Sequence, residues 1–273
     1  MRLTRNENEV IRAYSRHADA YDSEENQRSC WGQATAQALT DIHIDLCDGV
    51  VVDVGCGSGR ALRKLADEAG PAVHFIGVEP AEGLRRKATE ITRDHPNIRI
   101  VDGCFESLPL ETQSVDYLFS LMAFHWTTDL KRSVTELARV LKPGADMDLF
   151  FIGRHNGREF IRKTTPIFLK YMGAQHLLES AALRTHLTRD AATELFKSAF
   201  PDSRVEVGES YKTYHDTLSG HWHWWVRIEG QFISLPAEHR QQCDRDVHDA
   251  LAELQTGEGI PYTIHLLHVR VGS

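Results

Sequence analysis

The sequence has few cysteines and no long apolar run, and both shortages limit what the protein can be. Its five cysteines are scattered and never occur as C-x-x-C, so neither a disulfide framework nor a zinc ribbon is indicated. No stretch of about eighteen apolar residues is present, and the first residues, M-R-L-T-R-N-E-N-E, lack the apolar centre of a signal peptide. We therefore expect a soluble protein of the reducing cytoplasm that has no membrane partner.

The sequence also has fewer basic than acidic residues. The chain has 31 Lys and Arg against 39 Asp and Glu, which gives a formal net charge of −8 at pH 7. Nucleic-acid affinity depends on clustered Lys and Arg, so this balance opposes a nucleic-acid partner. The other proportions, 41% hydrophobic and 26% charged residues in 273, are those of an ordinary globular chain and predict a single domain with additions.

Metal-ligand spacing is missing despite fifteen histidines. The possible ligands crowd towards the C-terminal part of the chain: His221, His223, His239, Cys243 and His248. They match no structural zinc pattern, because His221 and His223 are two residues apart on a predicted helix and point in different directions. We predict no bound metal.

The most informative stretch is Gly49–Arg60, G-V-V-V-D-V-G-C-G-S-G-R. Valines on both sides of Asp53 predict a buried strand of a parallel sheet. Gly55, Gly57 and Gly59 then allow a tight turn and a close approach of the backbone to a ligand. The spacing differs from the G-x-G-x-x-G of dinucleotide sites, and no Walker lysine follows.

Strands and helices alternate around this stretch. Further strands are predicted at 72–78, 98–102, from Val115, at 145–152, around Val205 and at 261–271. This order predicts an α/β fold: a doubly wound, mostly parallel seven-stranded sheet with an antiparallel last strand. We expect a helical lid over 1–48, a core over 49–152, a helical cap formed by 153–200 and 215–256, and the closing strand at 260–271.

The pattern D-x-G-x-G-x-G over Val51 to Gly59 resembles the first motif of class I S-adenosylmethionine-dependent methyltransferases. The resemblance implies S-adenosylmethionine as cofactor and a lid segment at Tyr14 to Asp22. Glu79, at the end of the second strand, is placed to accept both ribose hydroxyls. The cofactor contacts expected on this basis are Tyr14, Tyr21, Asp53, Gly55, Cys56, Gly57, Gly59, Glu79, Pro80, Cys104, Phe105, Glu106, Ser120 and Leu121.

One position departs from the family. Cys104 stands where the family usually has the acid that binds the adenine amino group, and Asp102 is out of register with it. We expect adenine to be held by the backbone at Cys104 and Phe105, with Phe105 or Leu108 packing against it.

The acceptor side offers two candidate groups at strand ends, His125 and Arg154. A carboxylate acceptor needs a cationic anchor, which Arg154 would supply, whereas a hydroxyl acceptor needs a base, which His125 would supply. Trp126, Trp222 and Trp225 are interpreted as an aromatic acceptor pocket, with ordinary core packing as the alternative.

Within the class, the phrases E-S-L-P-L and P-Y-T-I-H-L-L resemble the malonyl-carrier O-methyltransferases of biotin synthesis and the methyltransferases of quinone and secondary metabolism. The resemblance implies methyl transfer to a small-molecule or carrier-bound acceptor, with carboxylate or hydroxyl oxygen ahead of nitrogen or carbon. The alternatives are a noncatalytic S-adenosylmethionine-binding regulator and an oxidoreductase that uses NAD.

Overall fold

A computed structural model of the protein describes residues 8–227 and 235–272, without the side chains of 223–227. Its helices are α1 (Glu9–Arg16), α2 (Ala18–Tyr21), α3 (Glu24–Arg28), α4 (Cys30–Leu39), α5 (Arg60–Glu68), α6 (Glu82–Ile91), α7 (Leu130–Val140), α8 (Arg158–Ala181), α9 (Arg189–Ala199), α10 (Leu218–Arg227) and α11 (Ala237–Ala252). Its strands are β1 (Gly49–Val54), β2 (Val73–Val78), β3 (Ile98–Val101), β4 (Val115–Leu121), β5 (Leu141–Ile152), β6 (Arg204–Asp216) and β7 (Ile260–Gly272).

The strands form one seven-stranded sheet in the order β3-β2-β1-β4-β5-β7-β6. β1 pairs in parallel with β2 and β4, and the same direction continues from β2 to β3 and from β4 to β5. β7 runs antiparallel to β5. The predicted fold class is therefore confirmed, including the direction of the last strand.

Both faces of the sheet are buried, which explains the unbroken apolar character of the central strands. On one face, Leu118 and Phe151 pack with Leu137 of α7 and Phe196 of α9. On the other face, Phe119 and Phe150 pack with Leu62 of α5 and Ala38 of α4. Helices thus cover the sheet on both sides, as in a doubly wound fold.

The contacts divide the chain into two compact units. The core unit contains the described residues of Thr35–Arg154, Thr185–Ser210 and Leu266–Ser273. The helical unit contains those of Met1–Ala34, His155–Arg184 and Tyr211–His265. Strands β6 and β7 pass from one unit into the other along the chain.

Some element boundaries differ from the sequence expectation. β5 begins at Leu141 rather than near Ala145, because Leu141 pairs with Val115 before a register shift in the strand. α9 belongs to the core unit rather than to a cap, since its Ala192 and Phe196 are fully buried in the sheet's hydrophobic core. β6 extends over thirteen residues, whereas only the three residues around Val205 were expected as strand.

The described residues contain neither a membrane-spanning helix nor a metal-binding cluster. No helix combines the length and apolar character needed to cross a bilayer. Within residues 8–227 and 235–272, no group of three or more His, Cys, Asp or Glu side chains is arranged to hold a metal ion.

Candidate functional site

The glycine turn connects β1 to α5 at the carboxyl end of the sheet. Gly55, Gly57 and Gly59 have φ values of 79°, 56° and 80°, which lie in the left-handed region that favours glycine. The N–H of Gly55 donates to the carbonyl oxygen of Val78 at 2.7 Å, which ties the turn to the end of β2. A Cβ added at Gly55 would lie 2.3 Å from the Cβ of Ala123, so no side chain fits there.

Glu79 fixes the same turn from the neighbouring strand. Its Oε2 accepts a hydrogen bond from the N–H of Gly57 at 2.9 Å, and its Oε1 accepts one from the N–H of Ala81 at 2.8 Å. The residue is 5% exposed. Each carboxylate oxygen has two lone-pair directions, so a group already held by two N–H donors retains the capacity to accept from ribose hydroxyls.

Asp53, the last acid before the turn, is 2% exposed, and its Oδ1 has no hydrogen-bond partner among the described residues. Burial, and secondarily the charge of Glu79, raises the pKa of Asp53 well above its usual range. An unpartnered buried carboxylate oxygen is destabilising and calls for explanation in a native protein. A ligand with an ammonium or other donor group would satisfy it, which fits the amino-acid end of S-adenosylmethionine.

The expected adenine loop follows β3. Cys104 and Ser107 exchange backbone hydrogen bonds that close a short turn. The side chains of Phe105 and Leu108 are buried in the core, with Phe105 edge-on against Phe124 at 5.1 Å. The backbone at Cys104 and Phe105 remains a predicted adenine contact. The side chains of Phe105 and Leu108 pack against other residues of the protein core.

Glu106 connects this loop to the segment after β4. Its Oε1 accepts hydrogen bonds from the hydroxyl of Thr127 at 2.8 Å and from the N–H of Thr128 at 2.6 Å. Burial alone would raise the pKa of Glu106, but the bonds from Thr128 and Thr127 outweigh it and lower the pKa. In this structure Glu106 holds the 127–129 turn, and its predicted contact with the cofactor stays a prediction.

The end of β4 contains a feature that sequence reasoning missed. The Ser120 hydroxyl donates to the carbonyl oxygen of Val54 at 2.6 Å, and Leu121 is buried beside it. Met122 has φ 57°, a strained conformation for a residue with a long side chain. Its N–H donates to Phe150 at 2.8 Å, and the bend brings Ala123 against Gly55. No residue type in L-M-A-F-H-W signals this strain.

The two acceptor-side candidates occupy different environments. His125 lies in a 3-10 turn at Phe124–Trp126, is 5% exposed, and packs beside the half-buried Trp126 with ring centroids 5.0 Å apart. Arg154 follows β5, donates its N–H to Leu187 at 3.0 Å and has an exposed side chain. No ion pair involving Arg154 occurs in the described part of the chain.

The remaining predicted site residues belong to the helical unit. Tyr14 and Tyr21 pack edge-on, with ring centroids 5.6 Å apart, and Trp222 lies edge-on against His248 at 5.1 Å. The side chain of Trp225 lies outside the described residues. The lid and aromatic-pocket roles of these residues stay predictions.

Comparison with known proteins indicates a methyltransferase. A family model described as a methyltransferase domain matches residues 52–147. An uncharacterized methyltransferase of Geobacillus is 28% identical over 199 residues, which cover 69% of this chain and 88% of the relative. The malonyl-[acyl-carrier protein] O-methyltransferase of Methylococcus capsulatus is 36% identical over 94 residues, or 34% of each chain. A putative methyltransferase from an antibiotic biosynthesis pathway of Anabaena variabilis shares the fold, with a TM-score of 0.64 and 20% identity over 90% of this chain and 99% of the other.

Fold, glycine turn and family model together define a class I S-adenosylmethionine-dependent methyltransferase. The protein is accordingly a methyl-transferring enzyme, and S-adenosylmethionine is its cofactor. The residues present fit that cofactor for two reasons. The turn has no room for a side chain at Gly55. Asp53 has a buried oxygen without a partner among the described residues. Asp53, Glu79 and the backbone of the glycine turn are the groups that would hold it.

Proposed function

We propose that the protein transfers a methyl group to a carboxylate oxygen of a small-molecule or carrier-bound acceptor. The observation that carries this proposal is Arg154, an exposed cation at the carboxyl end of a central strand, with no ion pair in the described part of the chain. Ligands of open α/β sheets bind at that end of the strands. A guanidinium binds a carboxylate through paired, charge-assisted hydrogen bonds.

A carboxylate acceptor also requires no acid–base group from the protein. S-adenosylmethionine supplies an electrophilic methyl group on a sulfonium. The protein has to align the nucleophile and exclude water, and alignment of this kind lowers a barrier by roughly 7 to 11 kcal/mol. An ionised carboxylate has no proton to lose, so the chemistry requires no base, and the buried His125 serves as part of the wall.

The relatives support the same acceptor class. The name of the Methylococcus relative states O-methylation of a malonyl group on acyl carrier protein, a carboxylate on a carrier. The stretch shared with that relative is 34% of its length, so the acceptor is inferred from Arg154 and the name only adds support.

A methyl-transfer assay tests the proposal directly. Tritiated S-adenosylmethionine is supplied with malonyl-acyl carrier protein, a free dicarboxylic monothioester, a phenol and a primary amine. We expect transfer to the carboxylates. Arg154→Ala should lower kcat/KM by about 100-fold, as loss of a charge-assisted pair predicts, whereas Arg63→Ala, an exposed arginine on α5, should leave it unchanged.

His125 provides the discriminating variant. If the acceptor is a carboxylate, kcat of both the wild type and His125→Gln should stay constant over the pH range in which a histidine base would titrate. Transfer to the phenol or amine alone, or full activity in Arg154→Ala, would overturn the carboxylate assignment.

A further inference from the structure

Arg85, which the sequence analysis did not single out, lies behind the proposed ribose-binding carboxylate. It belongs to the second turn of α6, and its guanidinium extends back over the end of β2. Its Nη1 donates to the carbonyl oxygen of Glu79 at 3.0 Å and to that of Pro80 at 2.7 Å. The same nitrogen lies 2.7 Å from Oδ1 of Asp102, which directly follows β3.

The contacts of Arg85 thus span two neighbouring strand ends. β2 and β3 pair in parallel up to Val78 and Val101, and the N–H of Glu79 donates to Val101 at 3.1 Å. Beyond that point one segment continues through Glu79 and Pro80 to α6, and the other continues through Asp102 to the Cys104 loop. The Arg85 guanidinium joins these two segments.

The bridge differs from an ordinary surface ion pair, which contributes little because both side chains are mobile in water. The Asp102 side chain is 57% exposed, but the Arg85 side chain is only 23% exposed, and two carbonyl oxygens hold it in addition to Asp102. Its charge also reaches the glycine turn: burial and the charges of Asp53 and Glu79 raise the pKa of the Cys56 thiol, and Arg85 acts against them.

We propose that Arg85 and Asp102 are a positioning pair for the nucleoside end of the cofactor. The pair sets the separation between Glu79, which would bind the ribose, and the Cys104 loop, which would bind adenine. The inference rests on the proposed cofactor contacts of Glu79 and Cys104. Neither member needs to touch the cofactor, so both act through the backbone that they hold.

The chain offers two matched controls. Arg86 is the next residue of α6 and is exposed, with no partner in the described part of the chain. Arg139 makes a similar clamp at the far end of the same loop: it pairs with Glu136 and donates to the carbonyl oxygens of Leu108 and Leu110 at 3.1 and 2.8 Å. If Arg85 only stabilises the fold, Arg85→Ala should lower Tm and leave ligand Kd values unchanged, as expected for Arg139→Ala.

Calorimetric titration with S-adenosylhomocysteine and with methylthioadenosine shows whether Arg85 affects binding of the nucleoside end or of the amino-acid end. The second ligand keeps ribose and adenine but lacks the amino-acid end. At a temperature where circular dichroism shows each variant folded, Arg85→Ala should weaken both ligands by about tenfold and by the same factor. Arg85→Lys should recover part of the loss. Arg86→Ala and Arg139→Ala should leave both Kd values unchanged, with a lower Tm for Arg139→Ala alone.

A double-mutant cycle completes the test. Asp102→Asn should weaken both ligands in the wild-type background and add nothing to Arg85→Ala, because Asp102 acts through Arg85. Unchanged Kd values in Arg85→Ala, or a loss confined to S-adenosylhomocysteine, would overturn the positioning role. A wild-type protein that binds neither ligand would instead overturn the cofactor contacts on which the pair depends.

Discussion

The core unit and the helical unit each contain a buried polar residue, Asp53 and Asn156, and the two differ in their hydrogen bonds. In the helical unit, Asn156 donates to the Tyr262 hydroxyl oxygen at 3.1 Å and accepts from the N–H of His265 at 3.1 Å. The ring of His265 accepts from the N–H of His155 through Nδ1 at 2.9 Å. In the core unit, Asp53 is equally buried, yet one of its oxygens has no partner among the described residues.

The difference separates a structural polar network from a binding site. A network whose members are satisfied makes one packing arrangement rigid, and breaking it costs stability. A buried carboxylate with an unpartnered oxygen costs stability in the free protein and recovers it when a donor binds. Asn156 is therefore a structural group, whereas Asp53 is the group that we expect to recognise a ligand.

The largest expected difference in cofactor affinity is between alanine substitutions at two glycines where an added Cβ would clash at similar distances. A Cβ at Gly55 would lie 2.3 Å from the Ala123 Cβ, and a Cβ at Gly157 would lie 2.3 Å from the Tyr262 hydroxyl oxygen. Both glycines have positive φ. Gly55→Ala should weaken S-adenosylhomocysteine by about 100-fold, because strain and overpacking each cost about 1 to 3 kcal/mol and displace the turn.

Gly157→Ala should lower Tm and leave the Kd for S-adenosylhomocysteine within about twofold, since its strain acts on the Asn156 network. Thermal melts and titration calorimetry on both variants provide the measurement. Equal effects of the two substitutions on Kd would remove the distinction between the units.

Asp53→Asn is expected to have the next largest effect. Its folded pKa is raised, so the folded state binds more protons than the unfolded chain once pH exceeds the ordinary value of about 3.9. The resulting stability penalty grows as pH rises through the raised pKa and is absent in the amide variant. Asp53→Asn should therefore melt no lower than the wild type at neutral pH. It should also bind S-adenosylhomocysteine about tenfold more weakly, because it removes the carboxylate that would hold the cofactor.

Asn156→Ala provides the opposite result for the helical unit. It leaves the Tyr262 hydroxyl and the His265 N–H without their Asn156 partners, so unfolding free energy should fall by about 1 to 3 kcal/mol. Denaturant titration measures both variants. A marked loss of stability in Asp53→Asn would show that its carboxylate is structural.

The smallest effects are expected at two carboxylates that hold turns. Glu159 accepts from the N–H and hydroxyl of Thr263 in the helical unit, much as Glu106 accepts from Thr127 and Thr128 in the core unit. For both, hydrogen bonds outweigh burial and lower the pKa. Their stabilisation is present above the ordinary pKa of about 4.3 and is lost as pH falls through the lowered folded value.

Glu106→Gln and Glu159→Gln should each reduce unfolding free energy by about 1 kcal/mol at neutral pH and flatten the acid limb of the stability profile. Glu159→Gln should leave the Kd for S-adenosylhomocysteine unchanged. A selective loss of affinity in Glu106→Gln would support the sequence prediction that Glu106 contacts the cofactor.

The sequence predicted the sheet well because its signals are local. The valines around Asp53 predicted β1, and the alternation of strands and helices predicted a doubly wound, mostly parallel sheet. β5 begins earlier than the predicted start at residue 145, because Leu141 pairs with Val115, and such pairing carries no local signal.

The site was predictable only in part for the same reason. Glycine spacing marked the turn, and an acid at a strand end marked Glu79, but Met122 and Arg85 carry no sequence signal. Met is not a residue type associated with positive φ, and an arginine in an amphipathic helix is normally solvated. Their roles depend on what the folded chain brings beside them.

By itself, the sequence determined the glycine turn and the succession of strands and helices, since steric limits on φ and side-chain alternation act over a few residues. The class of cofactor followed from the resemblance of that turn to a known family. The tertiary structure alone decided which polar groups are satisfied. Asn156 and Tyr262 are 106 residues apart and Gly57 and Glu79 are 22 apart, yet each pair shares a hydrogen bond. Hydrogen bonds and desolvation depend on distances of a few ångströms, which exist only after the strands have paired and the helices have packed.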